Sequence, residues 1–372
     1  MSTRHYLDHA STSPTRPEAV AAVVTWLEHP AGDPGRIHAE GLTARVAVET
    51  AREQVAELLD ARPRSVVFTS GATEAIAAAC WGAAERGNHQ VVAAVEHSAV
   101  RHSAEALGEV TVVGVDELGR VDSDELLAAV RPDTAVVHLQ WGNHEVGTLQ
   151  PVEEVAAACH ERGVLLHVDA AQAAGHVPIA FDELGIDLLS VSAHKLGGPA
   201  GVGALVVRRG LRVRPLLLGG DQERARRAGL EPVGAIAGFG AAAAALSAGA
   251  LDAEAVAHRT LTDRVLAAVP HLEGVRAYGD PIGRLPHLVC LGIDGVEPQA
   301  VLLGLDRAGV AAHSGSACSS ESLEPSPVLE AMGVDAHRSL RLSVGWSSTD
   351  ADIDAALAAL PEILAQLRAL AG

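Results

Sequence analysis

The chain has 372 residues, 48% of them hydrophobic and 20% charged, which is typical of a folded globular protein and not of a disordered one. A formal net charge of −19 and only 2% aromatic residues argue against nucleic acid or an anionic membrane as a partner. The 4 cysteines form no C-x-x-C pair, so we predict neither a disulfide framework nor a thiolate metal site. The N-terminal residues lack the apolar stretch of a signal peptide and no window is apolar enough to span a bilayer, which predicts a cytoplasmic protein.

Short apolar runs alternate with helical patterns from about residue 16 to residue 250. The predicted strands are residues 65–69, 91–95, 110–115, 135–139, 164–169, 188–192 and 203–207. Between them apolar residues recur at spacings of three and four, as in residues 43–59, which predicts helices. The alternation predicts an α/β fold whose mostly parallel central sheet carries helices on both faces. Ligands of such sheets bind beyond the carboxyl ends of the strands.

The pattern changes after about residue 250 to a smaller α+β arrangement. We predict a helix at 253–269, strands near 288–291 and 341–344, and a closing amphipathic helix at 351–370. A weakly polar Ala/Gly window predicts a buried helix at 236–250 that bridges the two parts.

Two segments at the predicted strand ends carry polar chemistry. Residues 69–74 form a glycine turn that leads from a strand into a helix, where backbone N–H groups and the helix dipole suit a phosphate; a plain strand–helix turn is the alternative. Asp169 ends an apolar strand and can hold a protonated ring nitrogen, as a pyridoxal cofactor requires, or can simply cap the next helix.

Two further segments supply candidate nucleophiles. Lys195 follows the next strand, beside a glycine-rich turn, and could form a Schiff base with an aldehyde or be a solvated loop lysine. Cys318 lies among small, flexible residues, where a thiol can act as a nucleophile or be an incidental exposed cysteine. The other cysteines, Cys80, Cys159 and Cys290, lie in apolar or helical runs and are predicted to be inert.

The order of these segments resembles that of the cysteine desulfurases, which are fold type I pyridoxal-phosphate enzymes of the class V aminotransferase family. The resemblance runs almost end to end and is densest in FTSGATEA (68–75), VDAAQAAG (168–175), SAHKLGGPAGVGAL (192–205) and SGSACSSESLEPSPVLEAMG (314–333). The last motif is similar to the subgroup with a long catalytic-cysteine loop. The resemblance implies a large cofactor-binding domain of residues 14–250, a small domain of residues 1–13 and 251–372 that carries this loop, and a homodimer.

The resemblance also implies a role for each matching residue. Lys195 would bind pyridoxal 5'-phosphate covalently and move the proton at the substrate α-carbon, while Cys318 would attack the substrate sulfur. His97 would stack on the cofactor ring and assist proton transfer, and Arg341 would bind the substrate carboxylate. The remaining cofactor contacts would be Asp169 at the ring nitrogen, Gln172 at the phenolic oxygen, and Ala72, Thr73, Ser192 and His194 at the phosphate.

Two positions depart from the family pattern. The family has Asn where this chain has His144, at a contact to the cofactor's phenolic oxygen and the substrate, so we expect an altered pH dependence or a slower enzyme. The family has Thr where this chain has Leu230, which cannot donate a hydrogen bond to the phosphate in the neighbouring subunit; either phosphate affinity is lower or Arg227 compensates.

The implied reaction converts L-cysteine to L-alanine and leaves a persulfide on Cys318 for a sulfur-acceptor protein or small thiol. One alternative is a C–S β-lyase or selenocysteine lyase of the same fold, in which Cys318 is not obligatory. Another is a non-catalytic scaffold of a sulfur pathway.

Overall fold

The computed structural model describes residues 4–28, 32–247, 249–314 and 325–371. Its strands are β1 (His5–Tyr6), β2 (Val66–Thr69), β3 (His89–Ala93), β4 (Glu109–Val113), β5 (Thr134–Gln140), β6 (Leu165–Asp169), β7 (Leu188–Ser192), β8 (Gly203–Val207), β9 (Val275–Tyr278), β10 (Leu288–Ile293), β11 (Val310–Ala311) and β12 (Ser339–Ser343). Its helices are α1 (Pro17–Glu28), α2 (Ala39–Leu58), α3 (Ala72–Ala83), α4 (Ser98–Glu105), α5 (Ser123–Ala128), α6 (Val152–Arg162), α7 (Gln222–Ala225), α8 (Val233–Ala244), α9 (Ala250–Ala268), α10 (Pro298–Arg307), α11 (Pro327–Ala331) and α12 (Asp350–Ala371).

The central sheet has seven strands in the order β2-β8-β7-β6-β5-β3-β4. Its pairs are parallel except where β8 runs antiparallel to β2 and β7. The inner strands are apolar along most of their length because helices cover both faces. The predicted α/β fold with a mostly parallel sheet is confirmed.

A large hydrophobic core surrounds this sheet, and a smaller one lies elsewhere in the fold. Leu7 of the N-terminal segment joins the smaller core, whose other members come from residues 261–364. This core packs beside a three-stranded antiparallel sheet of order β12-β10-β9, and β1 pairs with β11 in parallel. The domain boundaries at residues 13 and 250 stay a prediction.

The helix predicted at 236–250 is wrong at its C-terminal end. Helix α8 ends at Ala244, and α9 begins after its N-cap residue Gly249, which has a φ of 86°. Small residues continue from α8 into α9, so composition gave no sign of where α8 ends. The left-handed backbone at Gly249 separates the two helices. Among the described residues, every helix is too short or too polar to cross a bilayer.

Candidate active site

A cleft of about 690 Å³ opens beyond the carboxyl ends of strands in the central sheet. Strands β5, β6 and β7 contribute Gln140, Asp169 and Ser192 to its wall. The predicted site residues in the described part of the chain all line this one cleft: Ala72, Thr73, His97, His144, Asp169, Gln172, Ser192, His194, Lys195 and Arg341. Cys318 lies outside the described residues.

The turn between β2 and α3 forms one end of the cleft. Helix α3 begins at Ala72, and its N-cap residue Gly71 offers no side chain to the N–H groups of the first turn. Gly71 has a φ of 156°, which residues with side chains rarely adopt. A Cβ on the neighbouring Gly203 would lie 2.7 Å from the Gly71 Cα, so two glycines let the strand and the turn approach closely. This end of the cleft suits an anion.

Glu74 ties this turn to a distant segment. Its carboxylate accepts a hydrogen bond from the Ser70 N–H at 2.8 Å and from the Arg227 guanidinium at 2.9 and 3.2 Å. Arg227, the residue considered as compensation for Leu230, is thus paired with Glu74. Leu230 itself is 64% exposed.

Lys195 lies at the end of a short 3-10 turn (Ala193–Lys195) that follows β7. Its Nζ donates a hydrogen bond to the Ala10 carbonyl oxygen, which also accepts one from the Gln172 amide at 2.6 Å. Burial, reinforced by the nearby Arg341 cation, lowers the pKa of the Lys195 amine to about 7. At neutral pH a large fraction of this amine is therefore an uncharged base.

Two buried carboxyl groups lie under the cleft. Asp169 accepts a hydrogen bond from the Ala171 N–H at 2.9 Å, and burial raises its pKa. Glu96 accepts one from the Gln140 N–H at 2.5 Å; burial and then the Asp169 charge raise its pKa well above the ordinary value. Burial and the Asp169 charge thus both favour the protonated form of Glu96. We did not predict Glu96, although it precedes His97 directly in the sequence.

His97 and His144 meet edge to face, with ring centroids 5.2 Å apart. The Nδ1 atom of His97 caps α4 by accepting the Ala99 N–H at 3.1 Å, so a neutral ring carries its proton on Nε2. Burial, with a further contribution from His144, lowers the pKa of His97 to about 3. His97 is therefore a neutral donor in this cleft, with its other nitrogen used by the helix.

Arg341 lies in β12 and its side chain is 1% exposed. Its guanidinium donates to the His144 carbonyl at 2.7 Å, to the Ser11 hydroxyl at 2.7 Å and to the Asp8 carboxylate at 3.1 Å. The charge of Arg341 is thus fixed at the cleft wall by the N-terminal segment. We predicted neither Asp8 nor Ser11, because their contacts link residues more than 300 positions apart.

His313 is another residue of the cleft that we did not predict. Its carbonyl accepts a hydrogen bond from the Arg341 N–H at 2.7 Å, so the two residues are neighbours across an isolated bridge. Burial, followed by Arg341, lowers the pKa of the His313 imidazole. The only available signal was its place directly before the motif of residues 314–333, five positions before Cys318.

The three described cysteines are buried, as predicted. Burial raises the pKa of Cys80 and of Cys159 to about 12, and raises that of Cys290 as well. Thiols that stay protonated are poor nucleophiles, so none of these three is suited to attack a sulfur atom.

Comparison with known proteins identifies the family of this chain. The sequence model described as "Aminotransferase class-V" matches residues 5–356. The chain belongs to the class-V aminotransferase family. It is 40% identical to the cysteine desulfurase IscS of Dictyoglomus turgidum over 377 residues, covering 98% of this chain and 95% of that one. It is also 40% identical to the cysteine desulfurase IscS of Methanosarcina thermophila, covering 98% and 92%.

Solved structures of the family have the same fold. A NifS-like protein superposes with a TM-score of 0.92 at 31% identity, covering 98% of this chain and all of that one. A structure described as SspA in complex with cysteine gives a TM-score of 0.82 at 28% identity, with 93% of this chain covered. The predicted family, the fold type I architecture and an enzyme that uses pyridoxal phosphate are confirmed.

The residues of the cleft fit pyridoxal phosphate. A primary amine, a buried carboxyl and the N-terminus of α3 face one space, as the aldehyde, ring nitrogen and phosphate of the cofactor require. Burial raises the pKa of Asp169, and a cationic ring nitrogen against this carboxylate would offset the cost of burying its charge. The donor set therefore matches the cofactor of the family.

Proposed function

We propose that the chain is a cysteine desulfurase that takes sulfur from L-cysteine, releases L-alanine and carries the sulfur as a persulfide on Cys318. The observation that carries this proposal is the convergence of Lys195, Asp169 and the α3 N-terminus on one cleft, in a chain that is 40% identical to named cysteine desulfurases. Cys318 follows the cleft residue His313 by five positions in the sequence.

We assign each cofactor contact to a group at the matching place in the cleft. Asp169 would hold the ring nitrogen, and Gln172 and His144 would lie at the phenolic oxygen. Ala72, Thr73, Ser192 and His194 would surround the phosphate. Lys195 would hold the cofactor until the substrate amine takes its place, and the cofactor would then supply an electron sink that acidifies the proton on the substrate α-carbon.

The side chains of the cleft would then bind the substrate and move its protons. Arg341 would hold the substrate carboxylate, and its contacts to Asp8 and Ser11 would keep the guanidinium in place. Lys195 would take the α-carbon proton, a task that suits an amine whose pKa burial lowers to about 7. His97 would donate through Nε2, because its Nδ1 is engaged by α4.

The transfer of sulfur from L-cysteine to Cys318 needs no external oxidant or reductant. The Cys318 thiolate attacks the substrate sulfur, so an S–S bond forms as the bond between sulfur and the β-carbon breaks. The electron pair of that bond stays with the carbon fragment, which takes up protons and leaves as alanine. The sum is L-cysteine plus enzyme thiol to L-alanine plus enzyme persulfide.

A product assay tests this proposal. Protein loaded with pyridoxal phosphate receives L-cysteine and a reductant, and alanine, pyruvate and sulfide are measured for the wild type, Cys318→Ser and Lys195→Ala. We expect alanine equal to sulfide in the wild type and loss of both in each variant. Cysteine-dependent pyruvate that survives in Cys318→Ser would show a β-lyase instead, and absence of any product from the wild type would favour a scaffold.

We also propose a homodimer. A groove of about 300 Å³ lies beside the α3 end of the cleft, and its lining includes Leu216, Leu217 and Arg227. The nearby Leu218 and Leu230 are 81% and 64% exposed, which is unusual for large apolar side chains at the edge of an active site. Light scattering should give twice the chain mass, and Leu218→Lys should reduce it toward one chain; a wild type of single-chain mass would contradict the dimer.

The sulfur acceptor, a carrier protein or a small thiol, is the remaining partner in this proposal. Turnover in the cytoplasm, where thiols stay reduced, suits a persulfide that must pass to another thiol. With a net charge of −19, the enzyme should bind a protein carrier through a basic face of that carrier. Binding that does not weaken as salt rises would contradict this expectation.

A further inference from the structure

A group of buried histidines lies behind the floor of the cleft. His9, His176, His258 and His287 come from distant parts of the chain and are at most 5% exposed. The rings of His176 and His287 are stacked, with centroids 3.6 Å apart and planes 14° from parallel. His258 packs next to His176 at 5.9 Å. The mechanism above uses none of these side chains.

The stacked pair contacts two groups of the cleft. The Nε2 atom of His287 lies 3.2 Å from the Gln172 Oε1 atom. The Nε2 atom of His176 lies 3.3 Å from the backbone oxygen of Lys195. The stack therefore connects the side-chain amide of Gln172 with the peptide that carries the reactive amine.

The chemistry of the partners fixes where the protons are. Gln172 has its nitrogen 2.6 Å from the Ala10 carbonyl, which can only accept, so its oxygen faces His287. His287 must then donate through Nε2, and His176 must do the same to the Lys195 carbonyl. The Nδ1 atoms of both rings have no hydrogen-bond partner among the described residues, which agrees with neutral rings protonated on Nε2.

The two contacts of Gln172 are not equivalent. Its nitrogen shares the Ala10 carbonyl with the Lys195 amine, so that contact changes whenever the amine is engaged elsewhere. Its oxygen is held by His287, a contact in which the Lys195 amine takes no part. Ala10 takes one N–H of the Gln172 amide, which leaves the second for an oxygen in the cleft.

We propose that His287, supported by the stacked His176, is a positioning residue that holds the Gln172 amide with its N–H toward the cofactor while the Lys195 amine is in use. This inference rests on the proposed function, because it gives the cofactor contact of Gln172 a support of its own. His287 touches no reacting atom in this account.

Burial keeps the imidazoles of the pair uncharged. It lowers the pKa of His176 and of His287 well below the ordinary value, and neighbouring histidines add to the effect. The titratable and charged groups facing His287 are His176, His258, His9 and Arg341. The pair therefore donates through Nε2 across the neutral pH range and does not act as a pH switch.

The test follows the visible absorption of protein loaded with pyridoxal phosphate as pH is varied. A donor from Gln172 to the phenolic oxygen stabilises the negative charge of that oxygen most in the deprotonated form of the cofactor, which predominates at high pH and absorbs at shorter wavelength, so loss of that donor shifts the titration midpoint upward. His287→Met removes the Nε2–H at similar length, and His287→Gln keeps a donor near the same place. We expect a shift of roughly 0.5–1 pH unit in His287→Met, the size of one lost hydrogen bond, and most of it restored in His287→Gln.

A double-variant cycle with Gln172→Leu separates positioning from a general structural effect. We expect Gln172→Leu to shift the midpoint upward and the double variant to shift no further, because His287 acts only through Gln172. His258→Leu is the matched control: it removes a buried histidine of the same group that has no contact with Gln172, and its midpoint should equal that of the wild type. A wild-type midpoint in His287→Met, or shifts that add in the double variant, would overturn the inference.

A measurement on the wild type covers the case in which His287→Met does not fold. Nitrogen-15 NMR of histidine-labelled holoprotein should show His287 protonated on Nε2 and bare on Nδ1 between about pH 6 and 9. The opposite tautomer would overturn the inference, because the ring could not donate to Gln172. A wild type that binds no pyridoxal phosphate would instead refute the proposed function, so the two failures are distinct.

Discussion

Glu96 has the most strongly perturbed carboxyl of the site. Its side chain is 1% exposed, its Oε2 atom has no hydrogen-bond partner among the described residues, and burial and the Asp169 charge raise its pKa well above the usual value. A raised pKa favours the neutral acid of Glu96, which leaves the charge of Asp169 free to face a cationic ring nitrogen.

Glu96→Gln tests this protonation state. An acid whose pKa is raised on folding stabilises the fold below its unfolded pKa near 4.3, and that contribution is lost as pH rises toward the folded pKa. The variant lacks this loss, so its stability relative to the wild type should rise by about 1.4 kcal/mol per pH unit above pH 5. Urea unfolding at several pH values measures the difference. A constant difference from pH 5 to pH 8 would mean that Glu96 is ionised in the fold.

His144 is the departure from the family pattern with the clearest consequence. It lies in the cleft beside His97, where its imidazole can donate the bond that an Asn would donate. In His144→Asn we expect the cofactor to stay bound and the dependence of kcat on pH to change, because an amide replaces the imidazole. A profile of kcat against pH that is the same in the variant and the wild type would contradict this expectation.

A line of hydrogen bonds crosses the central sheet one layer below Asp169. Gln90, His138, His167 and Ser190 lie on neighbouring strands and are at most 1% exposed. His138 Nε2 lies 2.8 Å from the Gln90 oxygen, the two Nδ1 atoms are 2.9 Å apart, and His167 Nε2 lies 2.8 Å from the Ser190 hydroxyl. With both rings neutral, all three hydrogen bonds can form in only one way. The Ser190 hydroxyl donates to His167, His167 donates to His138, and His138 donates to Gln90.

This line should make the fold sensitive to acid. Burial lowers the pKa of His138 to about 3 and that of His167 well below the ordinary value. A histidine whose pKa is lowered on folding contributes stability above its unfolded pKa near 6.5, and the contribution is lost as pH falls toward the folded pKa. His167→Gln keeps a donor and an acceptor without a titratable proton. As pH falls from 6 to 4.5, the unfolding free energy of His167→Gln should decrease less steeply than that of the wild type, by about 1.4 kcal/mol per pH unit. Equal slopes would contradict the neutral line.

Helix α7 is held in an unfavourable backbone conformation by a buried ion pair. Glu223, Arg224 and Ala225 have φ values of 49°, 58° and 58°. The Glu223 carboxylate receives two hydrogen bonds of 2.7 Å from Arg52 and one of 2.9 Å from the Phe68 N–H. These contacts position the segment that carries Arg227 to the edge of the cleft.

Ala225→Gly should relieve part of this strain. Glycine adopts positive φ without the Cβ clash, so we expect the variant to be about 0.5–1 kcal/mol more stable in urea unfolding. Ala241→Gly in α8 is the matched control and should cost about 1 kcal/mol, because its helical backbone gains nothing from the missing Cβ. A loss of stability in Ala225→Gly as large as that of the control would contradict the assigned backbone.

At the scale of elements, sequence patterns succeeded where one physical signal dominates. Strand β7 was predicted with the observed bounds because its residues are all buried. Strand β3 was predicted two residues late, since its first residues are His89 and Gln90, which are buried but polar. The two-residue strands β1 and β11 gave no periodic signal at all. Sequence patterns therefore predict strands whose buried residues are apolar, and they miss buried polar residues whose partners lie on other strands.

At the scale of the whole molecule, motif order predicted more than any single segment did. The described site residues named from the sequence, from Ala72 to Arg341, face one space in the fold, although His313 of the same cleft was not among them. The residues that hold them were not predictable, because Asp8, Glu96 and His287 act through contacts with distant segments and belong to no local motif. The sequence carries the reacting groups in recognisable motifs, whereas only the fold reveals what positions them.

The central claim is that Cys318 carries sulfur taken from L-cysteine in a reaction that needs Lys195. The most direct test treats the holoprotein with L-cysteine without reductant, alkylates it and measures the mass of the peptide that contains residue 318. We predict that this peptide gains one sulfur atom in the wild type and that Lys195→Ala does not label. Cys318→Ser should carry no sulfur on any other cysteine. An unmodified Cys318 peptide in wild-type protein that nevertheless releases sulfide would contradict the account.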